Sequence, residues 1–199
     1  LRQSVYRALV VQTRLQPYTD AIELVLDANG LHFNTAPLST LLVQHKTADA
    51  RNALIDLVEL NKYMAPSLGA VGFDGLTLLR GWVEELPTDS PLRAELVSLD
   101  VLGATSTNGS ARNDIWFGNS ATNSFSAGAG DDLLDAGDGI DYLYGGSGAD
   151  FLRGGAGADQ PLAYLSGDPD QAARQQGHAG DDGQAQAEVP VLGEGAEDC

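Results

Sequence analysis

Cysteine is all but missing. The single one, Cys199, is the last of 199 residues, so no internal disulfide and no thiolate metal cage is available. Histidine is nearly as scarce: His32, His45 and His178 stand far apart, which argues against a histidine-based zinc site. Cations are few as well. Eleven Lys and Arg face 28 Asp and Glu, for a formal charge of −17, and the bases are scattered. A phosphate-binding footprint needs the opposite, so nucleic acid is not an expected partner. No apolar run approaches the ~18 residues of a membrane helix, so no membrane span is expected. The chain opens Leu-Arg-Gln with no charged-then-apolar leader, so no N-terminal signal peptide is expected, and it reads as a piece of a longer protein.

What is present falls into three compositions. Residues 1–108 hold 12 acids and 8 bases, an ordinary balance. Residues 127–159 hold 7 acids and one base, Arg153, and residues 160–199 hold 8 acids and one base, Arg174. Glycine divides as 6, 12 and 6 among 1–108, 109–162 and 163–199. The expected organisation is a helical flanking or capping region over 1–108, a Gly/Asp-rich unit over 109–162 and a disordered tail over 163–199.

The first region reads as all-α. In the opening stretch Val5, Leu9 and Val10 line one side at helical spacing, and Pro17-Tyr18 interrupts it. A second helix is expected from Thr19 or Asp20 to about Asp27, stopped by Asn29-Gly30. A third covers about 38–46. The clearest covers 49–63, where Ala53, Leu54, Leu57, Val58 and Leu60 make a wide apolar stripe, with Pro66 just past its end. Shorter helices are expected over 76–85 and 91–99. No residue here asks for a catalytic role. His32 and His45 read as core-edge or surface histidines. Adjacent Glu84 and Glu85 would point about 100° apart on a helix, a poor acid–base pair.

The middle is periodic. Cut from Gly109 in nines, it reads GSARNDIWF, GNSATNSFS, AGAGDDLLD, AGDGIDYLY, GGSGADFLR and GGAGADQPL, with no insertion. The last four frames carry Gly at positions two and four: Gly128/Gly130, Gly137/Gly139, Gly146/Gly148 and Gly155/Gly157. They carry Asp at position six: Asp132, Asp141, Asp150 and Asp159. The first two have Asp114 and Asn123 at position six, but Ser110, Arg112, Asn119 and Ala121 where glycine belongs. Position eight reads Trp116, Phe125, Leu134, Leu143, Leu152, Pro161. A flexible linker has such a composition but not the phase.

This segment resembles the RTX (repeats-in-toxin) haemolysin-type family, whose calcium-binding nonapeptide is GGxGxDxUx. The resemblance covers 109–162 and implies a short parallel β-roll of about three turns. Each frame would make one half-turn, with GGxGxD as the bend and the last three residues as a strand. Calcium takes six to eight hard oxygen ligands in a tolerant geometry, which loop carbonyls and the Asp carboxylates would supply. With 18 residues per turn, an ion would sit between frames n and n+2. That pairs Asp132 with Asp150 and Asp141 with Asp159 as the good sites. Asp114 with Asp132 and Asn123 with Asp141 would be weak or empty. Position eight would point inward, with Trp116 and Phe125 plugging the first turn, and Pro161 would end the roll. Position seven should point outward yet carries Ile115, Leu133, Tyr142 and Phe151, with Tyr144 beside Tyr142. The expectation is a face covered by the helical half or by a neighbour; a binding platform is the alternative.

The resemblance further implies a module that folds on calcium and belongs to a larger bacterial protein, exported by a one-step, type I route without an N-terminal signal peptide. The tail lacks the amphipathic, weakly charged end that such export uses. EF-hand, GxGxxG, Walker, HExxH and GxSxG patterns are all absent. The expected function is calcium binding by a structural module, not catalysis. The alternative is a fragment of a secreted RTX enzyme or cytolysin whose active part lies in the helical region or is missing.

Overall fold

The structure is a computed structural model and describes residues 2–28, 30–162 and 174–175. The expected disordered tail, His178 and Cys199 lie outside the described residues, apart from a two-residue strand at Arg174–Gln175. The described order is α1 (Arg2–Thr13), α2 (Gln16–Asp20), β1 (Glu23–Asp27), β2 (Gly30–Asn34), α3 (Ala36–Ala48), α4 (Ala50–Ala70), α5 (Gly75–Glu84) and α6 (Pro91–Ser98). Then come β3 (Val101–Gly103), β4 (Ile115–Phe117), β5 (Ser124–Ala129), β6 (Leu133–Asp135), β7 (Tyr142–Ser147), β8 (Phe151–Arg153), β9 (Gln160–Leu162) and β10 (Arg174–Gln175). Helices are followed by parallel strands, but the first region is not all-α.

Its centre is α4. Asp49 caps it by accepting the Asn52 N–H at 3.1 Å, and the Ala53–Leu60 stripe is buried as expected. The helix does not stop before Pro66 but runs through it to Ala70. An interior proline costs about 3 kcal/mol. Here the last turn carries Leu68, which is buried in the core beside Phe73. On α5, Asp74 caps the Thr77 N–H at 2.9 Å, and Leu76, Leu79 and Trp82 are buried. Asn61 of α4 donates to the carbonyls of Leu57 at 2.8 Å and Gly75 at 3.0 Å, tying α4 to α5. In α1 only Val10 of the expected apolar side is buried, while Val5 and Leu9 are more than half exposed.

The expected second helix is a correction. Residues 23–34 form an antiparallel hairpin, with Leu24 opposite Phe33, Leu26 opposite Leu31 and Asp27 opposite Gly30. Apolar residues alternate here with period two on either side of an Asn-Gly pair, which is a hairpin signal, not a helix stop. Gly30 takes φ +99°, a conformation that favours glycine.

From Ile115 the chain alternates between two parallel sheets. One has the order β10-β8-β6-β4-β3 and the other β5-β7-β9. Ile115 pairs with Leu133 and Leu133 with Phe151; Phe125 pairs with Leu143 and Leu143 with Pro161. Each partner is 18 residues on. The first strand breaks the rule: Leu102 sits beside Trp116, outside the nine-residue frames. Pro161 lies inside β9, the edge strand at which its sheet ends, a position that tolerates a missing N–H.

Between the sheets lies a thin core of Trp116, Phe125, Leu134, Leu143 and Leu152 with Ala127 and Ala136. Trp116 and Phe125 stack at 4.8 Å between ring centroids. The outer face of the first sheet is covered. Ile115, Phe117 and Leu133 are buried in the same core as α4 and α5, and Phe151 packs against it. Two arginines fasten the contact. Arg80 of α5 donates to Asp135 Oδ2 at 3.0 Å, to the Gly118 carbonyl at 3.2 Å and to the Asp135 carbonyl. Arg153 of β8 reaches back to Thr77 Oγ1 at 2.7 Å and Asp74 Oδ2 at 2.9 Å. The outer face of the second sheet is different: Tyr142 and Tyr144 are exposed.

Candidate metal centre

The bends between strands stack in two ladders. On one side the Asp114 N–H donates to Asp132 Oδ1 at 2.8 Å, and the Asp132 N–H to Asp150 Oδ1 at 3.0 Å. On the other, the Asn123 N–H donates to Asp141 Oδ1 at 2.7 Å, and the Asp141 N–H to Asp159 Oδ1 at 3.0 Å. The four residue pairs named from the sequence are thus brought together, each through one carboxylate oxygen.

The second oxygens matter more. Asp132 and Asp141 have no exposed surface, and the Oδ2 atom of each is buried with no hydrogen-bond partner among the described residues. A buried unpaired carboxylate oxygen costs several kcal/mol unless a cation or proton meets it. Burial, followed by the charges of Asp150, Asp114 and Asp131, pushes the Asp132 carboxyl up to about 7, against the pull of the Asp114 N–H. Burial also raises Asp141, with Asp159 adding to it, and raises Asp150, with Asp131 adding to it.

Among the described residues no three His, Cys, Asp or Glu side chains gather into a metal-binding group. A metal here must take most of its oxygens from the backbone. The glycines leave room for that. All eight at positions two and four of the last four frames, Gly128, Gly130, Gly137, Gly139, Gly146, Gly148, Gly155 and Gly157, have positive φ. At Gly146 and Gly148 an added Cβ would collide with the Gly128 and Gly130 carbonyl oxygens of the turn 18 residues earlier. Those carbonyls stack at the bend because no side chain separates the turns. Hard oxygens of this kind, with paired carboxylates, suit calcium and not a thiophilic metal.

The first turn closes on itself. Asp114 accepts the Ser110 N–H at 2.7 Å and its hydroxyl at 3.1 Å. Asn123 Oδ1 accepts the Asn119 N–H at 2.9 Å. Neither Ser110, Arg112, Asn119 nor Ala121 adopts positive φ. Beyond the turn, Asp100 pairs with Arg112 and with Lys62 Nζ at 3.3 Å, and the largely buried Lys62 also acts electrostatically on Asp114. Burial raises Asp114, with Asp100 adding to it, while the Ser110 bonds and Lys62 lower it.

Two features escaped the sequence reading. Position five makes its own ladder: the Asp131 N–H donates to Asn113 Oδ1, and the Ala149 N–H to Asp131 Oδ1, both at 3.0 Å. The 18-residue spacing of Asn113, Asp131 and Ala149 was the available signal. In the helical half, Tyr18 donates to Asp56 Oδ2 at 2.6 Å and meets His45 Nδ1 at 2.7 Å, while Arg14 pairs with Asp56. No spacing rule announces that network, because its members lie on the turn after α1 and on α2, α3 and α4.

Residues 108–143 and 126–161 match the family model described as the RTX calcium-binding nonapeptide repeat (4 copies). No curated protein and no solved structure matches the chain. RTX nonapeptide repeats bind Ca²⁺, so calcium is the metal of this segment. Its acids fit the ion: the matched stretch holds the two orphaned carboxylate oxygens.

Proposed function

We propose that residues 109–162 form a β-roll that folds on calcium and serves as a structural, non-catalytic module of a larger secreted bacterial protein. The observation that carries this reading is the pair of buried Oδ2 atoms on Asp132 and Asp141, one on each side of the stack, that have no partner among the described residues. Calcium supplies the positive charge that these oxygens lack, so its binding free energy becomes folding free energy. Asp132 with Asp150 and Asp141 with Asp159 would hold it, with carbonyls from the glycine bends. The loops of Asp114 and Asn123 would hold it weakly, because Ser110 and Asn119 already satisfy their side chains. Extracellular calcium modules work at about 10⁻⁴–10⁻³ M, far above cytosolic calcium, which would keep the repeats unfolded until a type I route has exported them. No helix among the described residues is long and apolar enough to cross a membrane.

The test is a calcium titration of the whole chain in a Trp82→Phe background, which leaves Trp116 as the only indole. Trp116 is fully buried in the roll core, so its emission should shift to the blue as calcium rises toward the millimolar range. Magnesium should leave it unchanged. Emission that stays solvent-like up to about 10 mM calcium, ten times the weak end of the extracellular range, sinks the proposal.

A further inference from the structure

The hairpin of β1 and β2 is anomalous. None of its ten residues is buried. One face carries Leu24, Leu26, Leu31 and Phe33, which are 61%, 77%, 66% and 49% exposed. A two-stranded hairpin alone is marginal in water, and contiguous apolar patches of a few hundred Å² mark interaction surfaces. Both strands are sheet edges. Natural edges are blunted by lysine, proline or bulges; ELVLD and GLHFN hold none of them.

We propose that two copies of this chain pair through β2 to make a continuous four-stranded antiparallel sheet, β1-β2-β2-β1. Register and charge select this partner. The two-residue connection closes on Asp27 opposite Gly30, so alternation along the ladder turns the N–H and C=O of Leu31 and Phe33 toward the free edge. Centring the pairing on His32 sets Leu31 against Phe33 of the second copy and Phe33 against its Leu31. Two unbroken apolar rows result, each running Leu24, Phe33, then Leu31 and Leu26 of the mate. The acids Glu23 and Asp27 stay on the outer strands, so a chain of net charge −17 meets itself through an edge that carries no carboxylate. The other edge is unsuited. Pairing β1 with β1 about Val25 would set Glu23 against Asp27 of the mate, a like-charge contact.

The test uses the full chain with Cys199→Ser, so that introduced cysteines are alone. His32→Cys would face its own copy across a non-hydrogen-bonded pair at about 4.5 Å between Cα atoms, within disulfide range. It should form a covalent dimer under mild oxidation. Val25→Cys, displaced to the outer strands about 14 Å from its mate, should not. Sedimentation equilibrium should give a dimer for the parent chain and a monomer for Phe33→Lys. Because Phe33 is exposed, that variant should keep its helical circular dichroism and its Trp116 response to calcium. A parent chain that stays monomeric at high concentration overturns the proposal and leaves the face for another protein. Cross-linking at Val25→Cys equal to that at His32→Cys also overturns it, since the hairpins then meet differently. The calcium response is read separately, so failure here does not touch the function proposed above.

Discussion

Acid should partly do the work of calcium, and Asp132 sets the scale. Its carboxyl rises from an ordinary 3.8 to about 7 in the fold. A group raised in this way contributes stability that is fully present below 3.8 and is lost as the pH climbs through 7. At about 1.36 kcal/mol per pH unit, the loss by pH 8 is about 4 kcal/mol for the calcium-free repeats. Asp132→Asn removes that loss while keeping an oxygen for the Asp114 N–H. It buries an amide N–H₂ without an acceptor, which costs about 1–3 kcal/mol. The net expectation is a gain of about 1–3 kcal/mol at pH 8 in chelator, vanishing or reversing at pH 5. In calcium the sign inverts, because the substitution removes a charged ligand, and the titration midpoint should rise about tenfold or more. The assay is Trp116 emission, with Trp82→Phe, across pH 5–8 in chelator and in calcium. The reasoning is refuted if the wild-type signal in chelator does not move with pH, or if Asp132→Asn is the less folded protein at pH 8 without calcium.

Gly148→Ala should abolish the calcium response, at about 3 kcal/mol or more, because φ is +134° and the new Cβ would strike the Gly130 carbonyl; Gly69→Ala in α4, where the Cβ meets nothing within 4 Å, should instead raise the thermal midpoint slightly. Arg80→Ala should cost about 3 kcal/mol and separate unfolding of the two halves into distinct steps in a denaturant titration, because it strips the buried Asp135 carboxylate of its 3.0 Å partner. Amide exchange in chelator should keep its protection in the helical core at 57–60 and lose it in the repeats at Leu133–Asp135 and Phe151–Arg153; equal protection of core and repeats would contradict it.

The helical half was legible wherever a periodic face met a cap. The helices expected over 76–85 and 91–99 match α5 and α6 closely, and Asp49 with the Ala53–Leu60 stripe places the start of α4, though its end at Ala70 lies well beyond the expected 63. It failed where a local signal has two readings. Asn29-Gly30 ends a helix or turns a hairpin, and only the two-residue alternation of Leu24, Leu26, Leu31 and Phe33 decides between them. Pro66 reads as a stop because a local rule does not see Leu68 packing on the core two residues later. Arg80 and Asp135 lie 55 residues apart on elements of different kinds, so no pattern in either announces their contact.

The repeats were legible in phase and in the 18-residue pairing of their aspartates, but position seven was read as a single face, and arithmetic shows why that fails. Frames nine residues apart lie on opposite sheets, whereas frames 18 apart share one. Ile115, Leu133 and Phe151 therefore belong together under the helices, and Tyr142 belongs with the other sheet, although all four occupy position seven. Reading position seven as one face merges two environments that the fold separates. The same parity explains how the module is built. One sheet gains its outer cover from α4 and α5, and its first turn is satisfied by Ser110, with Lys62 and Arg112 gathered at Asp100 just beyond it. The later turns have glycine at the positions of Ser110 and Arg112, and the Oδ2 atoms of Asp132 and Asp141 meet no partner among the described residues. The chain supplies its own cations at the end that touches the helices and leaves the need for calcium to the turns that follow.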